Sequence, residues 1–199
     1  VYFTSLRMGG KKQYQSPFDD FTCCIGTGME NPVKYGESIY FHGRDGSLYI
    51  NLFIPSILNW EEKGIIVRQE TNLPKDDKVD LTITAKTPTQ FLIHIRKPYW
   101  AFKGVQVMVN GKLQKVSADS DGYITLNRTW KDKDHIELIM PMDIHTEAMP
   151  DNADRMAVFY GPVLLAGELG NTEPDPITGV PVFVTTSTNA DQWIKKDNA

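Results

Sequence analysis

Ser38-Ile39-Tyr40-Phe41-His42-Gly43-Arg44-Asp45-Gly46-Ser47-Leu48-Tyr49-Ile50-Asn51-Leu52-Phe53 is the stretch that decides the fold class. Two runs rich in aromatic and aliphatic residues flank Gly43-Arg44-Asp45-Gly46. Tyr, Ile and Phe suit a pleated, half-buried surface. A short loop of Gly and Asp between two such runs is a hairpin signal. The stretch therefore reads as two antiparallel strands.

The same texture continues downstream. Runs with a period of two predict strands at 64–71, 78–85, 89–96, 105–109, 122–127, 134–140 and 155–160. Asn110-Gly111 joins Val105–Val109 to Lys112–Val116 through a favoured two-residue turn. Many short strands at this spacing predict a mainly-β chain built as a jelly-roll-like β-sandwich.

Upstream of residue 38 the pattern breaks. Gly9-Gly10-Lys11-Lys12 and Ser16-Pro17 read as loop. A helix is expected only around residues 27–37, where Thr27-Gly28-Met29-Glu30 matches a capping box. Pro32 complicates that helix, because an interior proline removes a donor and clashes with the preceding turn. A short helix starting at Asn31-Pro32 is the alternative. Beyond residue 148 the period loosens, and Met149-Pro150-Asp151-Asn152 reads as a domain joint. Three segments result: a loop-and-helix segment over 1–37, a β-sandwich over 38–148, and a β-rich extension over 149–199. In that extension the start of a second β domain runs into a loop-like tail, with one further strand at Val180–Thr185.

Composition narrows the function classes. At 41% hydrophobic and 23% charged, the 199 residues are globular rather than disordered. A net charge of −4 without a basic stripe argues against nucleic acid as a partner. No apolar run reaches the roughly 18 residues of a membrane span. The start, Val1-Tyr2-Phe3-Thr4-Ser5-Leu6-Arg7, lacks the n-region and h-region of a signal peptide. The two cysteines are adjacent, and bridging neighbours needs a strained ring, so reduced or metal-bound thiols are expected.

That pair, Cys23-Cys24, lies in the one unusual segment, Phe21-Thr22-Cys23-Cys24-Ile25-Gly26-Thr27-Gly28-Met29-Glu30-Asn31. Just ahead of a helix, partial positive charge favours thiolate, which is both a nucleophile and a soft zinc ligand. The plainer reading is that two small residues pack in a core, where free cysteine is common. Residue types alone leave both open. A metal needs about four ligands, and His42, His94, His135 and His145 show no ligand spacing, so they read as strand or surface residues. Asp19-Asp20, Glu61-Glu62 and Asp76-Asp77 read as solvated turns rather than catalytic pairs, and Glu30 as a helix cap. Trp60, Trp100, Trp130 and Trp193 could stack on sugars, but interleaved with strand residues they read as core or turn packing.

The stretch Cys23-Cys24-Ile25-Gly26-Thr27-Gly28-Met29-Glu30-Asn31, followed by Lys34-Tyr35-Gly36-Glu37-Ser38-Ile39-Tyr40, resembles the signature of the zinc-dependent β-L-arabinofuranosidases, glycoside hydrolase families 127 and 146. Leu48-Tyr49-Ile50-Asn51-Leu52-Phe53-Ile54-Pro55-Ser56, Ile95-Arg96-Lys97-Pro98-Tyr99-Trp100, Val109-Asn110-Gly111, Gly122-Tyr123, Arg128-Thr129-Trp130 and Phe159-Tyr160-Gly161-Pro162 are similar to later landmarks of the family. The resemblance covers most of residues 1–169. Its cysteine motif is specific, whereas each strand motif taken singly is weak.

The resemblance implies that Cys23 is the nucleophile of a retaining glycosidase and touches zinc, with Cys24 as the neighbouring zinc ligand. It implies that the remaining ligands, a glutamate and a third cysteine, and the general acid/base lie upstream on an (α/α)6 barrel. Residues 1–37 would be the end of that barrel, and this chain alone would be inactive. The implied partner is a glycan or oligosaccharide, with self-association through surface that the missing barrel leaves bare. The alternative from another class is a non-catalytic β-sandwich that binds carbohydrate or supports a partner. A third reading has the two thiols share a structural metal with another chain.

Overall fold

The computed structural model describes residues 23–168, 184–187, 189 and 192–195. They fall into two compact units, one spanning Ser38–Leu164 and the other drawn from residues on either side of it. The larger unit is mainly β, as expected.

Its strands are β1 (Tyr40–His42), β2 (Leu48–Ile50), β3 (Ser56–Trp60), β4 (Ile65–Thr71), β5 (Lys78–Ala85), β6 (Thr89–Arg96), β7 (Gln106–Val109), β8 (Lys112–Leu113), β9 (Tyr123–Trp130), β10 (Asp134–Ile139), β11 (Ile144–Met149), β12 (Asn152–Tyr160) and β13 (Val163–Leu164). Two sheets, ordered β1-β2-β6-β9 and β3-β4-β5-β10-β7-β8, supply the main core, and β11-β12-β13 form a third.

Alternation explains the layering. In β4, Ile65 and Val67 are buried while Ile66 and Arg68 face outward, and β5 repeats this with Val79, Leu81 and Ile83 inward. From the four-stranded sheet, Leu48, Ile50, Ile93, Ile95, Ile124 and Leu126 join the same buried cluster. A strand whose side chains alternate in this way must cover its apolar face with a second layer. The deepest large side chain is Trp130, fully buried, whose indole N–H donates to the Phe91 carbonyl at 3.1 Å.

Both hairpins read from local turn chemistry are present. β1 and β2 pair antiparallel with Tyr40 opposite Ile50. Between them Gly46 adopts φ 78°, and its amide donates to the Gly43 carbonyl at 3.0 Å. The Ser47 hydroxyl and amide donate to the Asp45 carboxylate, holding its pKa below the ordinary value. At the second turn Asn110 (φ 51°) and Gly111 (φ 74°) both take the left-handed conformation of a type I′ hairpin.

Asn110 also ties that turn to the next strand. Its side-chain amide donates to Asp134 at 2.8 Å, and its side-chain carbonyl accepts the His135 amide at 2.9 Å. Asn110→Ala removes both bonds and strains the backbone, so a loss of about 2 kcal/mol is expected in urea unfolding. Asn110→Gly should recover the backbone share but not the bonds. Equal stability of the alanine variant and the parent would overturn the assignment.

Three strands were not anticipated from the sequence. β3 follows Pro55 and lies at a sheet edge, with Ile57 facing solvent and Leu58 and Trp60 half-buried, so apolar residues fall on both of its faces. β11 and the short β13 pair only with β12. Met149–Asn152, read above as a joint, is the turn of the β11–β12 hairpin, and the compact unit continues to Leu164. Of the expected strand Val180–Thr185, residues 180–183 lie outside the described residues, and Val184 and Thr185 are not in a strand.

A knot of hydrogen bonds fixes the start of the larger unit. Asn51 donates from its backbone to the Ile39 carbonyl at 2.9 Å and from its side chain to the Ser38 carbonyl at 3.2 Å. Its backbone carbonyl accepts Arg96 Nε at 2.6 Å, and its side-chain oxygen accepts the Tyr123 hydroxyl at 3.1 Å. Gln69, nearly fully buried, donates to the carbonyls of Leu52 and Ile54 and so shapes the segment that leads from β2 to β3.

Candidate active-site segment

Cys23 and Cys24 lie on helix α1, Cys23–Lys34, in the smaller unit. Among the described residues the helix begins at Cys23. The cysteines are therefore inside its first described turn rather than ahead of an N-terminus near Thr27. The expected capping box is corrected accordingly: Thr27 and Glu30 are interior helix residues. Gly26 and Gly28, poor helix formers, lie within the helix as well. Pro32 is accommodated inside it too, and the helix runs only two residues further, to Lys34. Proline cannot donate to the carbonyl one turn back, which helps explain the early stop.

A 3-10 turn, Tyr35–Ser38, follows α1. Lys34 Nζ meets Glu37 Oε1 at 3.0 Å, an exposed pair worth little to stability. Met29 and Val33, one turn apart, are 70% and 77% exposed, so this helix presents an apolar row to its surroundings.

Successive helical residues are about 100° apart around the axis, with a rise of about 1.5 Å each. Cys23 and Cys24 are consecutive residues of this helix, and thiolates are soft metal donors. Glu30 is seven residues from Cys23, about 10.5 Å along the helix axis. Among the described residues no group of three or more His, Cys, Asp or Glu side chains is placed to hold a metal ion. The donor chemistry of the pair suits zinc, but two donors leave a tetrahedral site half made. With no other cysteine in the sequence, a third thiolate would have to come from elsewhere.

The other residues weighed from the sequence take structural places. All four histidines sit on strands of the larger unit. His94 stacks on Tyr49 with ring centroids 4.4 Å apart, and its Nδ1 lies 2.8 Å from the Thr125 hydroxyl. His135 Nε2 lies 2.9 Å from Asp80. Trp100 and Trp130 are buried, and half-buried Trp60 packs edge-on against Phe91 with Lys63 over its ring. Glu61 and Glu62 are exposed in a 3-10 turn, while Asp76 accepts the Lys78 amide in the β4–β5 turn. Asp19 and Asp20 lie outside the described residues. The full extent of α1 escaped the sequence reading. The signal available was weak, because two glycines and a proline depress helix propensity across it.

The family model described as "Beta-L-arabinofuranosidase, GH127 middle domain" matches over residues 47–142, most of the two principal sheets. Residues 47–142 are of GH127 middle-domain type. Solved structures agree with this GH127 assignment. A GH127 β-L-arabinofuranosidase from Geobacillus stearothermophilus T6 aligns at 26% identity and a TM-score of 0.64, over 71% of this chain and 23% of that one. A GH127 β-arabinofuranosidase aligns at 28% identity and a TM-score of 0.55, over 63% of this chain and 23% of that one. A protein titled only "Glycoside hydrolase" shares the fold at 24% identity and a TM-score of 0.66, over 80% of this chain and 28% of that one. Comparison with curated proteins gives no match. The chain thus spans about a quarter of the length of the structures it resembles. The family expected from the cysteine motif is the one found. The GH127 model match starts downstream of Cys23 and Cys24, so their roles rest on the motif itself.

Among the described residues no helix is long and apolar enough to cross a membrane.

Proposed function

We propose that this chain is part of a retaining glycoside hydrolase of the β-L-arabinofuranosidase kind, acting on glycans or oligosaccharides that carry L-arabinofuranosyl groups. The observation that carries this reading is the GH127-type sandwich directly downstream of a helix that bears an adjacent cysteine pair.

In this reading Cys23 is the nucleophile. Its thiolate forms a bond to the anomeric carbon as the glycosidic C–O bond breaks, and the leaving oxygen takes a proton from an acid outside the described residues. Water then displaces the thiolate, so two inversions return the original configuration. Cys23 and Cys24 would hold zinc together with ligands from outside the described residues. Bound zinc would lower the thiol pKa and favour the anion needed for attack.

Two consequences belong to the same proposal. With no proton donor identified and only two metal ligands proposed among the described residues, the chain alone would be inactive in this reading. Trp100 and Trp130 are buried and offer no face to a sugar ring, so neither supports a purely sugar-binding sandwich.

The reading is tested by incubating a polypeptide of the relatives' length that contains this chain with a β-L-arabinofuranoside. Quenching followed by peptide mass spectrometry should find one pentosyl group on the peptide bearing Cys23. A pentosyl group on a carboxylate instead, or an inverted product, would overturn it.

A further inference from the structure

We draw no further inference here: the strongest candidate, the exposed aromatic cluster that Tyr99 and Phe102 of the β6–β7 loop make around the ring of His145 on β11, is an unpartnered patch, and nothing in the structure shows what covers it.

Discussion

On the proposed mechanism, replacing Cys23 with alanine in the longer polypeptide is expected to lower glycosidase turnover on the order of 10⁴-fold or more, because the covalent step needs its thiolate. Cys23→Ser should fall nearly as far, since a hydroxyl is a far weaker nucleophile at neutral pH than a thiol with its ordinary pKa of about 8.5. The loss should lie in kcat, with the thermal midpoint little changed, because Cys23 belongs to a different compact unit from the sandwich core. Cys24→Ala serves as a comparison: it should weaken zinc retention, read by metal analysis after dialysis. Undiminished turnover by the Cys23 variants would end the assignment of the nucleophile while leaving the GH127 relationship of the sandwich intact.

The second large effect concerns stability. Trp130→Ala should cost about 3–5 kcal/mol, the usual range for deleting a buried large aromatic side chain. The indole is fully buried against Phe91, donates its N–H to the Phe91 carbonyl, and lies beneath the Arg128 guanidinium, whose carbon is 5.2 Å from the ring centroid. Truncation would leave a cavity and also orphan a carbonyl. Trp130→Phe keeps most of the apolar contact but not the bond, so it should cost clearly less. A domain of this kind is stable by about 5–15 kcal/mol, so the alanine variant should unfold at much lower urea. A cost below about 1 kcal/mol would contradict the packing described.

What could be read in advance was local. The turns at Gly43–Gly46 and Asn110-Gly111 were legible because glycine and asparagine answer to their own backbone conformation, whatever the rest of the chain does. Alternation in β4, β5, β6 and β10 was legible because one sheet face is dry and the other wet. Sheet membership was not. The parallel pairing of β2 with β6, Leu48 opposite Ile93, depends on residues far apart in sequence and leaves no local mark. β3 was obscured because apolar Ile57 sits on its exposed face, and β11 because its burial does not alternate. In α1, local and tertiary signals disagree: two glycines and a proline argue against the helix, yet it forms. The cysteine pair was legible as unusual, but its chemistry depends on partners that no spacing within these residues reveals.

The parallel pairing also sets an order of events. The β1–β2 hairpin is complete by residue 50, but the strand that shields its other edge begins only at Thr89. As the chain leaves a ribosome, Leu48 and Ile50 must wait for that later segment before their sheet can close. Long-range closure of this kind raises contact order and slows assembly. The short turn that makes the first hairpin easy to form thus creates an early piece whose maturation waits on synthesis well beyond it.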